Sequence, residues 1–237
     1  NLAATEQCTD SPTNNFATFN SIHTQGNATH DPNFSEGNVN VTFDNADDST
    51  LSTIGVSAGK WYCEFKVTSS ANATVGIGNE SSALVILPGS CNIGGHGGDY
   101  GYFRNGNKQG DGGSAASYGD TYADDDIISI AFDADNGTIW FGKNGTWQNS
   151  ATEGEIEAGT TTNAAFSSIS MAAVTFFFGC SNSASGTTGD AFSVNFGNPS
   201  YANSSSVSDG NGYGAFEYAV PDGFLALCTK NLGSTGG

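Results

Sequence analysis

Basic side chains are scarce in this sequence: Lys60, Lys66, Arg104, Lys108, Lys143 and Lys230 stand against 24 Asp and Glu, for a formal charge of -18. So few cations cannot neutralise a phosphate backbone, which excludes nucleic acid and anionic membrane as electrostatic partners. Long hydrophobic runs are missing too. No apolar stretch approaches the ~20 residues that span a bilayer, so membrane insertion is not expected. Helical periodicity nowhere persists for three turns, which leaves little room for helix. The five cysteines are odd in number and irregularly spaced. No pair has C-x-x-C spacing, so no metal motif can be assembled from them.

What is abundant is glycine, with 33 residues, together with Ser, Thr and Asn, against a background of only 13% charged residues. That composition suits many short strands joined by many turns. A chain of 237 residues can bury roughly 70% of its unfolded surface in one large β domain. The most informative stretch is Asp126 to Trp147. Ile128, Ile130 and Phe132 alternate with Ile127, Ser129 and Ala131, Asp135-Asn136-Gly137 supplies a tight turn, and Ile139 and Phe141 alternate with Trp140 and Gly142. This predicts a β-hairpin, followed by a second turn at Lys143-Asn144-Gly145.

Further strands are predicted at Val39 to Phe43, Leu51 to Val56, Lys60 to Val67, Thr74 to Gly78, Ala83 to Leu87 and Tyr100 to Phe103. Others follow at Ala165 to Ser170, Ala172 to Phe178, Phe192 to Gly197, Phe216 to Tyr218 and Gly223 to Cys228. Two packed antiparallel sheets, an all-β sandwich, accommodate them. Residues 1–50 read as an extended segment pinned to that sandwich by Phe16, Phe19 and Phe34, residues 51–200 as its body, 201–232 as C-terminal strands, and 233–237 as a linker-like tail. The start at Asn1 and the glycine-rich end suggest a segment of something longer. Cys63 shares the apolar face of its run with Trp61 and Phe65 and is expected as a buried free thiol. Pairing of Cys91 with Cys180, and of Cys8 with Cys228, stays open.

Taken together, Gly59 to Val67 (GKWYCEFKV), Val75 to Gly78 (VGIG), Tyr100 to Gly106 (YGYFRNG), the hairpin and Phe192 to Gly197 (FSVNFG) resemble the SPRY (B30.2-like) domain. The hairpin carries the most specific part, matching that family's pattern at Asp126, Ile127, Ile128, Asp133, Ile139, Phe141, Asn144 and Gly145, and the closing motif at Asn195, Phe196 and Gly197. Asp125 stands where the family usually has Gly, and Ser181 to Gly189 reads as an insertion. The resemblance implies a concanavalin-like antiparallel jelly roll whose partners meet loops at one end. Here those loops are 92–118 and the 143–150 turn. The flanks Asp10 to Asn20 and Val220 to Leu232 resemble segments bracketing such modules in bacteriophage tail-fibre and other virion proteins, which implies a virion or extracellular setting within a larger oligomeric assembly.

Chemistry is harder to find. Glu153, Glu155 and Glu157 alternate, which on a strand would place three carboxylates on one face, as a glycosidase of sandwich fold requires of its acid pair. Only Ile156 interrupts polar and small residues there, so a solvated acidic loop is expected instead. Asp133, Asp135, Asn136 and Gly137 start like a calcium loop but lead into a strand without the closing Glu. No Ser-His-Asp or Cys-His set and no phosphate or dinucleotide fingerprint is present, so a non-catalytic module with no cofactor and no metal is expected. Binding falls to exposed aromatics: Trp147 first, then Tyr100, Tyr102, Tyr118 and Tyr122, with His96 in its glycine loop. The partners expected are other virion or surface proteins, or a host-surface protein or glycan. An adhesin or filament subunit of a cell and a polysaccharide-active enzyme are the alternatives.

Overall fold

The computed structural model describes residues 14–22, 32–44, 48–80, 92–182 and 189–235. Two antiparallel sheets face one another. The larger carries β1 (Asn33–Ser35), β2 (Asn40–Thr42), β13 (Ala191–Asn195), β4 (Lys60–Ser69), β9 (Ile127–Asp133), β10 (Thr138–Lys143) and β11 (Thr146–Trp147) in that spatial order. The smaller carries β3 (Ser49–Leu51), β12 (Phe176–Asn182), β5 (Ala73–Asn79), β6 (Asp99–Phe103), β7 (Asn107–Gly110) and β8 (Ala116–Ser117). One strand breaks the antiparallel rule: β14 (Leu225–Ala226) runs parallel to the start of β4, opposite Trp61 and Tyr62.

The hairpin forms as its alternation predicts, with Ile139 opposite Phe132 and Phe141 opposite Ile130. Its turn depends on Gly137, whose φ of +59° favours glycine and whose missing Cβ would lie 2.1 Å from the Ile169 carbonyl oxygen. Asp133, the apparent first calcium ligand, instead accepts the backbone N–H groups of Asp135 and Asn136 and holds that turn closed. Between the sheets lies the main core, in which Trp61, Cys63, Phe65 and Val67 of β4 meet Val75 and Ile77 of β5 and Phe176 and Phe178 of β12. Cys63, Cys180 and Cys228 are buried free thiols, whereas Cys8 and Cys91 lie outside the described residues.

A second apolar cluster covers the opposite face of the larger sheet. Tyr62, Ala131 and Trp140 point outward from β4, β9 and β10, and are roofed by Phe16, Ile156, Phe216, Phe224 and Ala226. The C-terminal portion therefore acts mainly as a cover. Beyond the short β14, residues 201–228 contribute two isolated bridges, Val207 with Phe216 and Cys228 with Phe16, and helix α2 (Thr229–Thr235) replaces the start of the expected tail. Asn231 pins α2 by donating to Asp209 Oδ2 at 2.7 Å and to the Ala226 carbonyl at 2.8 Å. At the other end of the chain, Phe16 bridges Cys228 antiparallel, with Ala17 N–H donating to the Leu227 carbonyl and Thr229 N–H to that of Asn15.

Other departures have local causes. The run from Ala165 to Ser170 is no strand, because Phe166 alone bridges Ile139. Strand β12 begins at Phe176 and continues through Asn182, four residues later than the Ala172 start expected, since its partners are Asn79 to Ala73 of β5. The expected strand at Ala83 to Leu87 lies outside the described residues. Glu153, Glu155 and Glu157 sit on one helical turn, α1 (Glu153–Glu157), nucleated by a capping box in which Thr152 and Glu155 satisfy one another's backbone N–H.

Candidate functional site

The buried face of the larger sheet is organised around one rung. Asn195 of β13 lies opposite Glu64 of β4, Glu64 opposite Ser129 of β9, Ser129 opposite Gly142 of β10, and Gly142 opposite Trp147 of β11. All five share the outward face under the C-terminal cover. Glu64 is fully buried and no cation pairs with it among the described residues. Its carboxylate instead accepts from Tyr62 Oη at 3.0 Å and Tyr218 N at 2.9 Å on one oxygen, and from Asn195 Nδ2 and Glu217 N, both at 3.0 Å, on the other. Burial raises its pKa above the ordinary carboxylate value, against the lowering effect of those donors. The network fastens residues 217 and 218 to the sheet and so fixes what stands beside Trp147.

Trp147 ends that rung at the sheet edge and is half-buried. Trp61 and Trp140 are sealed inside. On one side of Trp147, an open groove runs between Ser117, Tyr118, Gly119 and Asp120 and the turn from Thr146 to Ser150. Gln148 ties the two walls: its Oε1 accepts from Asp120 N at 2.7 Å, and its Nε2 donates to the Thr146 carbonyl at 2.9 Å. Two consecutive non-glycine residues, Asn149 and Ser150, have φ of +56° and +62° in this turn. Such backbone costs on the order of 1 kcal/mol per residue and persists only where surroundings hold it. Asn163 holds it, accepting from Asn149 Nδ2 at its carbonyl and donating from its own Nδ2 to the Ser150 carbonyl.

Of the aromatic residues predicted to bind, three belong to the core. Tyr102, Tyr118 and Tyr122 are all buried, with Tyr102 5.5 Å from Tyr118, 5.3 Å from Tyr122 and 5.4 Å from Phe141 between ring centroids. Their hydroxyls find partners in backbone, which is why strand-end tyrosines can go inside. Tyr122 donates near the carbonyls of Ala73 and Tyr102, and Tyr118 Oη accepts from Phe141 N. Tyr102 donates to the Asp120 carbonyl, bracing one groove wall from beneath. Burial pushes all three phenol pKa values upward. Tyr100 is half-buried against Phe166 and Phe176.

His96 is half-buried in its loop, where its N–H and that of Gly94 donate to Asp99 Oδ1. The structure separates it from Trp147. Strand β6 starts at Asp99 beside the His96 loop, whereas the 117–120 wall follows β8, whose Ser117 pairs with Asn107 at the far end of β7. The loops expected to share one end of the sandwich thus divide between two.

Residues 60–197, more than half the chain, match the family model of the SPRY domain. The chain belongs to the SPRY domain family. Among solved structures, the SPRY domain of human HERC1 is similar at a TM-score of 0.54, with 17% sequence identity over 74% of this chain and 96% of that one, a likeness of fold. No curated protein matches the chain in sequence. Within this SPRY domain, the partial exposure of Trp147 was legible from its place after a turn. The Glu64 network was not: alternation along β4 assigns Glu64 to a solvated face, and its burial comes from residues 150 positions later.

Proposed function

We propose that this SPRY domain is a non-catalytic recognition module that binds a protein partner through the corner around Trp147, at the surface of a virion. The observation that carries the reading is the corner itself. A tryptophan is held half-exposed between a polar groove and the covered sheet face, on backbone kept in a strained conformation by Asn163. Rigid aromatic anchors beside hydrogen-bonding side chains are the usual hot spots of protein interfaces. SPRY domains commonly act as protein-interaction modules, and the strongly acidic surface favours a partner of opposite charge.

Support for the non-catalytic reading comes from the acidic turn. Glu155, central to any glycosidase use of α1, has its carboxylate committed to the Thr152 backbone and to Asn163, and these bonds hold its pKa below the usual range. A general acid needs the opposite shift. The virion setting rests on the resemblance of the flanking segments.

The test is partner retention from purified virus particles and from host surfaces, with wild-type, Trp147→Ala and His96→Ala chains immobilised in parallel. The expected result is a protein retained by wild type and His96→Ala and lost at least tenfold by Trp147→Ala. Equal retention by Trp147→Ala would overturn the assignment of the corner. Absence of the chain from mature particles by mass spectrometry would overturn the setting.

A further inference from the structure

The other side of Trp147 holds a smaller cleft, on the covered face of the larger sheet. Its lining comprises Tyr62, Ser129, Gly142, Gly145, Trp147, Glu153, Tyr218 and Ala219. The rung explains why a depression exists there. Ser129 and Gly142 are the two small members between Glu64 and Trp147, so the floor drops where adjacent strands would otherwise project large side chains. Aromatic rings make the walls. Trp147 stands 6.5 Å from Tyr62, edge to face, and lies against Gly142, where an added Cβ would be 3.2 Å from its ring. Tyr218 leans over Gly145, whose missing Cβ would come within 2.7 Å of its ring.

The lining pairs aromatic rings with a carboxylate and holds no basic residue: Trp147 and Tyr218 are partly exposed, Tyr62 is sealed beneath them, and Glu153 is exposed. Behind the floor, the buried Glu64 carboxylate lies one strand from Ser129, about 4.8 Å in a sheet, and is bonded to Tyr62 Oη, which is itself 3.0 Å from Ser129 Oγ. The fold seats lysines in this way elsewhere. Lys60 lies over Phe224 and beside Asp133, and Lys66 over Tyr201 and beside Asp125, while Lys108 lies over Tyr118 and Phe166 with the Ala165 carbonyl in place of a carboxylate. The Trp147 cleft repeats the ring-plus-carboxylate arrangement without a lysine of its own.

We propose that the cleft between Trp147, Tyr218 and Glu153 is a cation subsite that receives a lysine side chain of the partner. This rests on the reading of Trp147 as a recognition corner and names the chemistry recognised there. The alkyl stem would lie along the ring of Trp147 over Gly142, with the ammonium toward Glu153 and Tyr218.

The probe is Nα-acetyl-lysine N-methylamide, titrated while Trp147 is followed through its fluorescence and indole resonance, with the norleucine analogue as neutral isostere. Saturable binding of the lysine probe is expected. It should weaken roughly tenfold in Trp147→Leu and severalfold in Glu153→Gln, with the isostere well behind. Glu153 is exposed, so that variant tests the charge without threatening the fold. Equal binding of the isostere, or no response to lysine, would overturn the subsite. If partner retention still depended on Trp147 in that case, the recognition corner would stand and only its cation chemistry would fall.

Discussion

Truncating Glu64 to alanine should detach the C-terminal cover beside Trp147 while leaving the inter-sheet core intact. Four donors converge on its carboxylate at 2.9 to 3.0 Å, and two of them have a second acceptor. Tyr62 keeps Ser129 Oγ, and Asn195 Nδ2 keeps the Ala215 carbonyl at 2.9 Å. The backbone N–H groups of Glu217 and Tyr218 are left without their acceptor, at about 1 to 3 kcal/mol each. Removing a desolvated carboxylate returns part of that cost, as its raised pKa implies. The net local destabilisation is about 2 to 4 kcal/mol, which corresponds to roughly 30- to 1,000-fold faster amide exchange at 217 and 218. Hydrogen exchange resolved by residue or peptide reads this directly, with β5 and β12 as internal reference. Glu64→Gln, which keeps one acceptor oxygen but turns an NH2 toward the remaining donors, should fall between. Protection at 217 and 218 within threefold of wild type would refute the role given to Glu64, as would a uniform rise in exchange across the sandwich.

Asp99 makes stability depend on pH. It is buried with one oxygen accepting two N–H groups and the other unpartnered, and burial raises its pKa to about 6. The folded chain thus binds this proton more tightly than the unfolded one, whose value is near 4. The resulting stability is full below about pH 4 and is lost as pH rises through about 6, a change of about 3 kcal/mol. Urea midpoints between pH 4 and 7 should show that decline in wild type and a flatter profile in Asp99→Asn; identical profiles would remove the assignment. Gly137→Ala should lower the urea midpoint by at least ~2 kcal/mol equivalent, because a β-carbon at positive φ would strike the Ile169 carbonyl, and a neutral outcome would mean the turn can re-form without it.

How legible this architecture is from the chain depends on the distance over which each feature is decided. The hairpin Ile127 to Lys143 is decided locally, since its strands are neighbours in sequence and its turn requires glycine at 137. The inward face of β4 is decided by alternation that Trp61, Cys63, Phe65 and Val67 display openly. Its outward face is decided by residues 201–228, so Tyr62 and Glu64 carry no local sign of burial. Tyr102, Tyr118 and Tyr122 look amphipathic in sequence, and what takes them inside is the availability of backbone partners for their hydroxyls. Thr152 and Glu155 did carry the signature of a helix start, yet three alternating glutamates read as readily as a strand or loop.

The pairing of Asn15, Phe16 and Ala17 with Thr229, Cys228 and Leu227 bears on how the domain would carry load. The two segments run antiparallel, so their outer ends leave on the same side, and tension applied through residues 14 and 235 pulls them apart like a zip. Bonds in that geometry fail one after another, at lower force than a set sheared in parallel. Under tension the Asn231 pin of α2 and then this seam would yield, and the cover over Tyr62 and Trp140 would lift from its Phe16 end while the two sheets still held together.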